Sequence, residues 1–488
     1  MARFGTSLTG ETKALCSTMT NRIDLEVSAA PPVLVTDAPR RTPLTQAQND
    51  ELEKARHLAE ARWLEIELAG GVDAWVRTRL IEAGHSPDAG PPESMSDEQR
   101  ITFKEKKVAE RVERKKLRAL ATEARRFGTV GFLGNTVHWD ELKDPDAFDI
   151  ANRDAVAEKN GLPPYQTATE LAAAMDISVA TLRWMTFHRE VDSGTHYHSW
   201  RVPKRSGGER TITAPLPRLK ELQRWALRTY FEKLAVHSAA HGFLPARSVL
   251  TNALAHAGAD VLVKLDLKDF FPTIHWKRVK GLLRKAGVSE QVATLLSLLS
   301  TEAPRQLVEF RGKTLHVATG PRSLPQGAPT SPAITNALCL RMDRRLSALA
   351  RDLGFTYTRY ADDLAFSFRK TAERRRPALG ILVEKTKDIL KSEGFTLNAK
   401  KTRVLRRGAA QRVTGLTVND AGPQVPAARV ARDVLRRLRA AIHNRAKGKP
   451  YREGESQAQL QGLAAWVFMS DPKKGAALLA QVAALAKT

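Results

Sequence analysis

The segment TRYADDLAFSF, residues 358–368, limits what this chain can fold into more than any other stretch of the sequence. Apolar and polar residues alternate on both sides of an Ala-Asp-Asp triplet, which predicts two antiparallel strands joined by a tight turn. Asp362 and Asp363 therefore stand side by side at the turn, where like charges repel and one carboxyl tends to remain protonated. The turn predicts either an ordinary exposed loop, to which Asp is well suited, or a site where a divalent cation removes the repulsion.

A third carboxylate ends an apolar segment elsewhere in the chain. The stretch VLVKLDLKDFF, residues 261–271, predicts a buried strand that ends at Asp266. If that strand lies beside the hairpin, three carboxylates meet on neighbouring strands. Such a site suits Mg²⁺, which takes oxygen ligands, keeps several waters and completes its shell with substrate phosphates. Two such ions, about 4 Å apart, can activate a 3′-hydroxyl and stabilise a leaving pyrophosphate.

The charge balance indicates a polyanionic partner. The chain has 78 Lys and Arg residues against 53 Asp and Glu, a net charge of +25. Such an excess costs self-repulsion, and nucleic acid is the partner that best explains it. Cys16 and Cys339 are too few for a disulfide framework or a cysteine zinc site. No segment has the pattern of a signal peptide or a membrane span, so we expect a cytoplasmic protein that does not bind membranes.

The N-terminal third is predicted to be helical after a poorly ordered start. Residues 1–43 are polar and contain several prolines, which favours disorder. Apolar residues at helical spacing over 45–83 predict two helices that break at Gly70 and Gly71. Ser96, with Gln99 three residues later, predicts a capping box for a long basic helix.

Two further helices are predicted later in the chain. The segment TSPAITNALCLRMDRRLSALARDLG, residues 330–354, predicts one helix capped by Ser331 and ended by Gly354. From Ala427 on, only helical patterns remain. The basic amphipathic stretch 428–449 among them is suited to gripping duplex phosphates.

Several of these segments resemble, in order, the conserved blocks of reverse transcriptases. They are VLVKLDLKDFFPTI at 261–274, SLPQGAPTSPAITN at 323–336, RYADDLAFSF at 359–368 and GFTLNAKKTRVL at 394–405. Two shorter stretches, TNALAHAG at 251–258 and RVTGLTVN at 412–419, look like the extra blocks of bacterial retron reverse transcriptases. The resemblance covers about residues 165–440 and leaves the first 160 residues outside.

The resemblance implies a role for each matching residue. Asp266, Asp362 and Asp363, with the backbone carbonyl of Leu267, would bind two Mg²⁺ ions, for which Mn²⁺ could substitute, and the three Asp would be catalytic. The residues implied to bind the nucleotide are Lys204 and Arg210 at the triphosphate, Phe271 beneath the sugar, Gln326 and Gly327 beside the nucleotide, and Lys401 at the leaving pyrophosphate. Phe271 could equally be an ordinary core residue, and Lys400 is an alternative to Lys401. The residues implied to bind RNA are Asn252, His256, Val413, Thr414 and Gly415.

The implied fold is α+β: a right-hand polymerase with an antiparallel palm sheet, fingers and a helical thumb, plus a mostly α-helical N-terminal extension. The predicted regions are a disordered 1–43, a basic helical extension 44–160, fingers 161–255, a palm 256–420 and a basic helical thumb 421–488. The histidines at 188, 196 and 198 have poor spacing for zinc and no Cys nearby, so we interpret them as structural or RNA-facing.

The implied function is RNA-directed DNA polymerisation of the retron type. The enzyme would use dNTPs to copy a structured noncoding RNA from the 2′-hydroxyl of a branch guanosine, giving a branched RNA–DNA product (msDNA). It would serve in antiphage defence with a separate effector or toxin; the oligomeric state is left open. The alternatives are a group II intron-like or diversity-generating reverse transcriptase, a non-catalytic RNA-binding or antitoxin-like protein on the same fold, and a helix-turn-helix regulator built on residues 168–184.

Overall fold

The computed structural model describes residues 46–88, 90, 94–128, 152–187, 189–203, 207–419, 422, 427–452 and 455–485. The predicted disorder of residues 1–43 and the predicted nucleotide ligand Lys204 lie outside the described residues. The chain divides into two compact units, residues 1–55 and 56–488. The sites discussed below belong to the second unit.

The α-helices, in chain order, are α1 Gln46–Leu68, α2 Val72–Glu82, α3 Asp97–Gly128, α4 Arg153–Lys159, α5 Ala168–Ala174, α6 Val179–Thr186, α7 Pro217–Thr229, α8 Val249–Leu254, α9 Trp276–Lys285, α10 Glu290–Leu299, α11 Ser331–Leu338, α12 Leu340–Leu353, α13 Leu379–Ser392, α14 Arg432–Ala446, α15 Gln457–Ser470 and α16 Pro472–Leu485. The strands are β1 Val191–Asp192, β2 Tyr197–Pro203, β3 Glu209–Pro215, β4 Val261–Asp266, β5 Arg305–Phe310, β6 Lys313–Ala318, β7 Phe355–Tyr360, β8 Asp363–Phe368, β9 Arg403–Arg406, β10 Arg412–Val413, β11 Leu416–Thr417 and β12 Arg429–Val430.

The central sheet has the strand order β7-β8-β4-β9, and every neighbouring pair is antiparallel. Its strand β4 is covered on both faces, because alternate side chains enter different hydrophobic cores. Val261, Val263 and Leu265 belong to the larger core, and Leu262, between the first two, belongs to the core beneath the C-terminal helices. This burial explains the almost uninterrupted apolar run of the strand.

Two smaller sheets and a hairpin flank the central sheet. The hairpin pairs β2 with β3, and one sheet has the order β1-β6-β5. The other sheet has the order β10-β11-β12 and packs with α14, α15 and α16 in the second core. Strand β12 is a departure from the prediction that only helices follow Ala427. Its partner β11 lies before residue 420, so this sheet joins the segments predicted as palm and thumb.

The predicted helix over 330–354 is two helices, α11 and α12, which meet at Cys339. Ser331 does not cap the first helix as predicted. Its hydroxyl donates a hydrogen bond to the carbonyl of Pro325 (2.8 Å), and the N-cap is Thr330, which makes no side-chain capping bond. Gly354 ends the second helix in a left-handed conformation (φ 73°), as predicted.

The N-terminal helices follow the sequence signals. Helices α1 and α2 separate at Gly70 and Gly71, both of which have positive φ. Ser96 and Gln99 form the predicted capping box, with reciprocal hydrogen bonds of 3.0 and 3.3 Å. Helices α1, α2 and α3 share a separate apolar core built around Trp63, Trp75, Ile66 and Leu80. None of the helices described here is both long and apolar enough to cross a membrane.

Candidate active site

The hairpin β7–β8 places two adjacent carboxylates at its turn. Tyr360 pairs with Asp363, so Ala361 and Asp362 are the two turn residues between the strands. Ala361 adopts a left-handed conformation (φ 55°), which costs a residue with a side chain about 1–2 kcal/mol. Such strain persists only where the surrounding structure holds it in place.

The strand β4 brings the third carboxylate beside the turn. Asp266 is the register partner of Asp363, and the backbone N–H of Leu267 donates to the carbonyl of Asp362 (3.0 Å). Asp266 is buried, and its two carboxylate oxygens accept hydrogen bonds from Asn398 Nδ2 (3.0 Å) and Lys401 Nζ (2.9 Å). Asp266 therefore lies beside the Asp362–Asp363 turn, on the strand next to the hairpin.

The electrostatics of the three carboxylates favour a cation. Burial raises the pKa of Asp362, and the charges of Asp363 and Asp266 raise it further. Burial is also the main reason that the pKa of Asp363 is raised, and Asp266 adds to it while Lys264 opposes it. The hydrogen bond to Asp266 raises the pKa of Lys401. Lys401 thus offsets part of the negative charge with its ammonium group.

The donor set fits a hard divalent cation that binds through oxygen. Among the residues that the structure describes, no group of three or more Asp, Glu, His and Cys side chains is arranged to hold a metal ion. Asp266 is instead paired with Lys401, whose side chain is half exposed and can move away. This arrangement fits Mg²⁺, which does not need an all-protein cage and takes ligands from water and substrate phosphates.

A buried ion pair holds the strained turn from inside the protein. Arg359 lies three residues before Asp362 and donates to both carboxylate oxygens of Asp343 on α12 (2.9 and 2.8 Å). Its remaining nitrogen donates to Asn336 (3.1 Å) and to the carbonyl of the left-handed Ala361 (3.3 Å). No local pattern in the sequence predicts this network. The signal was an Arg in a strand otherwise made of aromatic residues and Thr, because a buried cation requires a partner.

The predicted nucleotide residues of the 323–336 loop contact the β2–β3 hairpin. The carbonyl of Gln326 accepts a hydrogen bond from the backbone N–H of Thr213 on β3 (2.8 Å). Gly327 has φ 134°, and a Cβ there would lie 2.9 Å from the carbonyl oxygen of Thr213. The glycine is therefore required by the approach of the hairpin backbone. Arg210 is exposed on β3, and Phe271 is partly buried and packs edge-on against Phe270 (5.5 Å).

Asn252 and His256, predicted to bind RNA, point into the protein. The helix α8 ends at Leu254, before His256. The side chain of Asn252 accepts from Thr358 Oγ1 (2.5 Å), and His256 bonds to Thr358 (2.7 Å) and Ser367 (2.7 Å). Both side chains are almost fully buried, and burial lowers the pKa of His256 to about 3, with a smaller effect from nearby His241. RNA contact by these residues stays a prediction, and the geometry supports a neutral His that ties α8 to the sheet.

The other predicted RNA-binding residues lie at the end of β10 (Val413) and in the turn before β11 (Thr414 and Gly415). Val413 is buried, and Thr414 and Gly415 have positive φ. Thr414 Oγ1 donates to the carbonyl of Val249 (3.0 Å) and lies 3.5 Å from Asn252 Nδ2. The two retron-like segments of the sequence are therefore in contact with each other.

Comparison with known proteins places this geometry in a family. Residues 202–424 match the family described as reverse transcriptase (RNA-dependent DNA polymerase). The chain is 55% identical to the retron Mx162 reverse transcriptase of Myxococcus xanthus over 482 residues, covering 96% of this chain and 98% of that relative. The chain belongs to the retron reverse transcriptases.

Other retron reverse transcriptases are more distant. The retron Mx65 enzyme of Myxococcus xanthus is 46% identical and covers 67% of this chain and 73% of its own length. The retron Ec86 enzyme of Escherichia coli is 29% identical, with coverages of 67% and 92%. This retron reverse transcriptase is thus an RNA-directed DNA polymerase with the right-hand fold, as predicted. Its partners include an RNA template, and its family generally uses divalent metal ions.

Proposed function

We propose that this retron reverse transcriptase copies a structured noncoding RNA into msDNA, starting from the 2′-hydroxyl of a branch guanosine. The observation that carries the proposal is the alignment of Asp266 with the Asp362–Asp363 turn in a chain that matches a retron enzyme over nearly its whole length. The product would be a branched RNA–DNA molecule. We also propose that the protein works in the cytoplasm, in antiphage defence with a separate effector protein.

The proposed regions are those of the sequence analysis: a basic extension over 44–160, fingers over 161–255, a palm over 256–420 and a thumb over 421–488. The basic amphipathic α14 supports the thumb assignment. Its buried Leu438 and Ile442 pack into the second core while most of its arginines face solvent. An exposed row of arginines suits contacts with duplex phosphates, which carry no sequence information.

The proposed chemistry assigns each residue at the turn a task. Asp266, Asp362 and Asp363, with the carbonyl of Leu267, would hold two Mg²⁺ ions or Mn²⁺ in their place. When bound, such ions acidify the attacking hydroxyl and neutralise charge on the leaving pyrophosphate. Lys401 would leave Asp266 and donate its proton to the pyrophosphate, since its pKa keeps it charged.

The remaining residues would position the nucleotide. We propose that Lys204 and Arg210 bind the triphosphate and that Gln326 and Gly327 lie against the nucleotide. The ring of Phe271 would exclude a 2′-hydroxyl on the incoming sugar, a selection by pocket shape.

Primer extension tests this proposal. Purified protein is given its co-purified native RNA, dNTPs and Mg²⁺, beside the Asp362→Asn plus Asp363→Asn variant. We expect DNA whose 5′ end remains joined to an RNA nucleotide after ribonuclease digestion and is released by a 2′,5′-debranching enzyme. The double variant should bind RNA and make no DNA. DNA from the double variant, or wild-type DNA with a free 5′ end, would refute the assignment.

A further inference from the structure

The last turn of α6 and the strand β2 present aromatic rings to solvent. Trp184 at the end of α6 is 58% exposed, and its ring meets that of His196 edge-on at 4.4 Å. The contact is fixed by a hydrogen bond between His196 Nε2 and the carbonyl of Trp184 (3.0 Å). Two strand positions further on, His198 stacks with Trp200 (5.6 Å), and Trp200 is 43% exposed.

These rings follow one face of the β2–β3 hairpin. Side chains two apart on a strand share a face, which applies to His198 and Trp200. The backbone N–H of Leu216 donates to the carbonyl of His196 (2.8 Å), so the strand register continues to that residue. We call Trp184, His196, His198 and Trp200 the aromatic face.

A cavity of about 660 Å³ lies at one end of the aromatic face, lined by Trp184 and His196. Its wall also contains two carboxylates, those of Asp192 and Glu302, and three arginines, which are Arg183, Arg189 and Arg305. Glu302 is neutralised by its ion pair with Arg305 (2.7 Å), and Asp192 accepts the backbone N–H of Ser193 (2.8 Å). Arg183 forms no side-chain ion pair or hydrogen bond with any residue that the structure describes. The cavity therefore presents net positive charge beside an exposed ring.

A metal site and a packing role both fit the cavity poorly. A metal site is disfavoured, since one nitrogen of His196 is engaged by the backbone carbonyl of Trp184 and Glu302 is already paired with Arg305. A core role for the rings conflicts with the exposure of Trp184 and Trp200. Arginine guanidinium groups beside exposed aromatic rings are instead the combination that binds unpaired nucleotides, through phosphate contacts and base stacking.

We infer that this cavity and the aromatic face bind an unpaired segment of the RNA, outside the template–primer duplex. One base enters the cavity and stacks on Trp184, a following base stacks near Trp200, and Arg183 and Arg189 contact the phosphates. Strand β3 of the same hairpin carries Thr213, which contacts the Gln326 loop. The unpaired RNA would therefore lie on the hairpin that also contacts the predicted nucleotide site. This inference rests on the proposed function only in taking RNA as the partner.

The test compares the affinities for single-stranded and duplex RNA. Full-length protein is titrated into fluorescein-labelled oligouridylate and into a blunt RNA duplex, and anisotropy is recorded. We expect Trp184→Ala to weaken oligouridylate binding about tenfold with little effect on duplex binding, since each base–aromatic stack contributes that much. Trp184→Phe should restore most of the loss. Arg183→Ala plus Arg189→Ala should reduce the log–log salt slope for oligouridylate by about 1.4, whereas Trp184→Ala should leave the slope unchanged.

The matched control is Phe310→Ala. Phe310 is also exposed beside an arginine, Arg311, but it lies on the β5–β6 hairpin and does not line the cavity. The variant should keep wild-type binding and wild-type primer extension. Equal oligouridylate affinity for Trp184→Ala and wild type, or an equal loss in Phe310→Ala, overturns the inference. Failure of the proposed function would show differently, as wild-type protein that binds oligouridylate but makes no branched DNA.

Discussion

The buried pair between Asp343 and Arg359 gives the sharpest test of how the catalytic turn is held. Both side chains are 0% exposed, and the carboxylate accepts hydrogen bonds from the guanidinium and from the hydroxyl of Tyr357 (2.8 Å). Asp343→Asn keeps the shape of the side chain but leaves a buried cation without its counter-charge. Removing one partner of a buried pair costs about 3–5 kcal/mol, so we expect the free energy of unfolding to fall by that amount.

Urea denaturation followed by circular dichroism measures the loss, and the same helix supplies the control. Asp352 lies 3.8 Å from Arg351, and both side chains are exposed. Asp352→Asn should change the free energy of unfolding by at most about 1 kcal/mol, because water screens the pair. Equal shifts in Asp343→Asn and Asp352→Asn would refute the reasoning.

A paired substitution separates stability from catalysis. Asp343→Leu plus Arg359→Met replaces the ion pair with apolar side chains and should recover most of the lost stability. The carbonyl of Ala361 nevertheless loses the hydrogen bond that holds the turn. Primer extension should therefore remain about tenfold slower, the effect of one charge-assisted hydrogen bond. Full activity in this double variant would show that the pair serves stability alone.

Three other perturbations have defined outcomes. Gly327→Ala places a Cβ against the β3 backbone, so the KM for dNTPs should rise several-fold in steady-state primer extension. Phe271→Ala should raise the ratio of ribonucleotide to deoxynucleotide incorporation on a homopolymer template. His256 is neutral in the folded protein, with its pKa lowered to about 3. Its contribution to stability is complete above the unfolded pKa of about 6.5 and is lost as pH falls toward 3, at up to about 1.4 kcal/mol per pH unit. His241, with a pKa of about 4, adds a similar loss.

Each of these has a control within the chain. Gly380→Ala fills open space on α13, so its KM should match wild type. Phe310→Ala should not alter the ratio of ribonucleotide to deoxynucleotide incorporation. If Phe271→Ala also left this ratio at the wild-type value, Phe271 would be an ordinary core residue. To test the pH dependence, the urea midpoint of His256→Gln is measured between pH 6 and 5. Its decline should be about half that of the wild type, because His241 still titrates in the variant. An unchanged decline would show that His256 is already charged or exposed.

The sequence predicted the elements that depend on interactions between residues close together in the chain. A nearly continuous apolar run located β4, alternation located the β7–β8 hairpin, and the adjacent carboxylates located its turn. Glycine pairs and a capping box located the N-terminal helix ends.

Features that depend on contacts between residues far apart in the sequence could not be predicted from local sequence patterns. Arg359 and Asp343 belong to different elements, so neither residue type alone indicated the pair. Ser331 has the right residue type for a cap, but its hydroxyl is engaged by Pro325. The four-residue spacing of Asn252 and His256 would suit one helical face, yet α8 ends between them and tertiary hydrogen bonds orient both side chains.

The burial of strand β4 affects how readily the strand that carries Asp266 unfolds locally. Because its side chains belong to two cores, the strand cannot leave the sheet without disrupting both of them. Its backbone amides should therefore exchange with deuterium only when the whole unit unfolds. Asp266, at the end of that strand, should therefore lie on one of the slowest-exchanging segments of the protein.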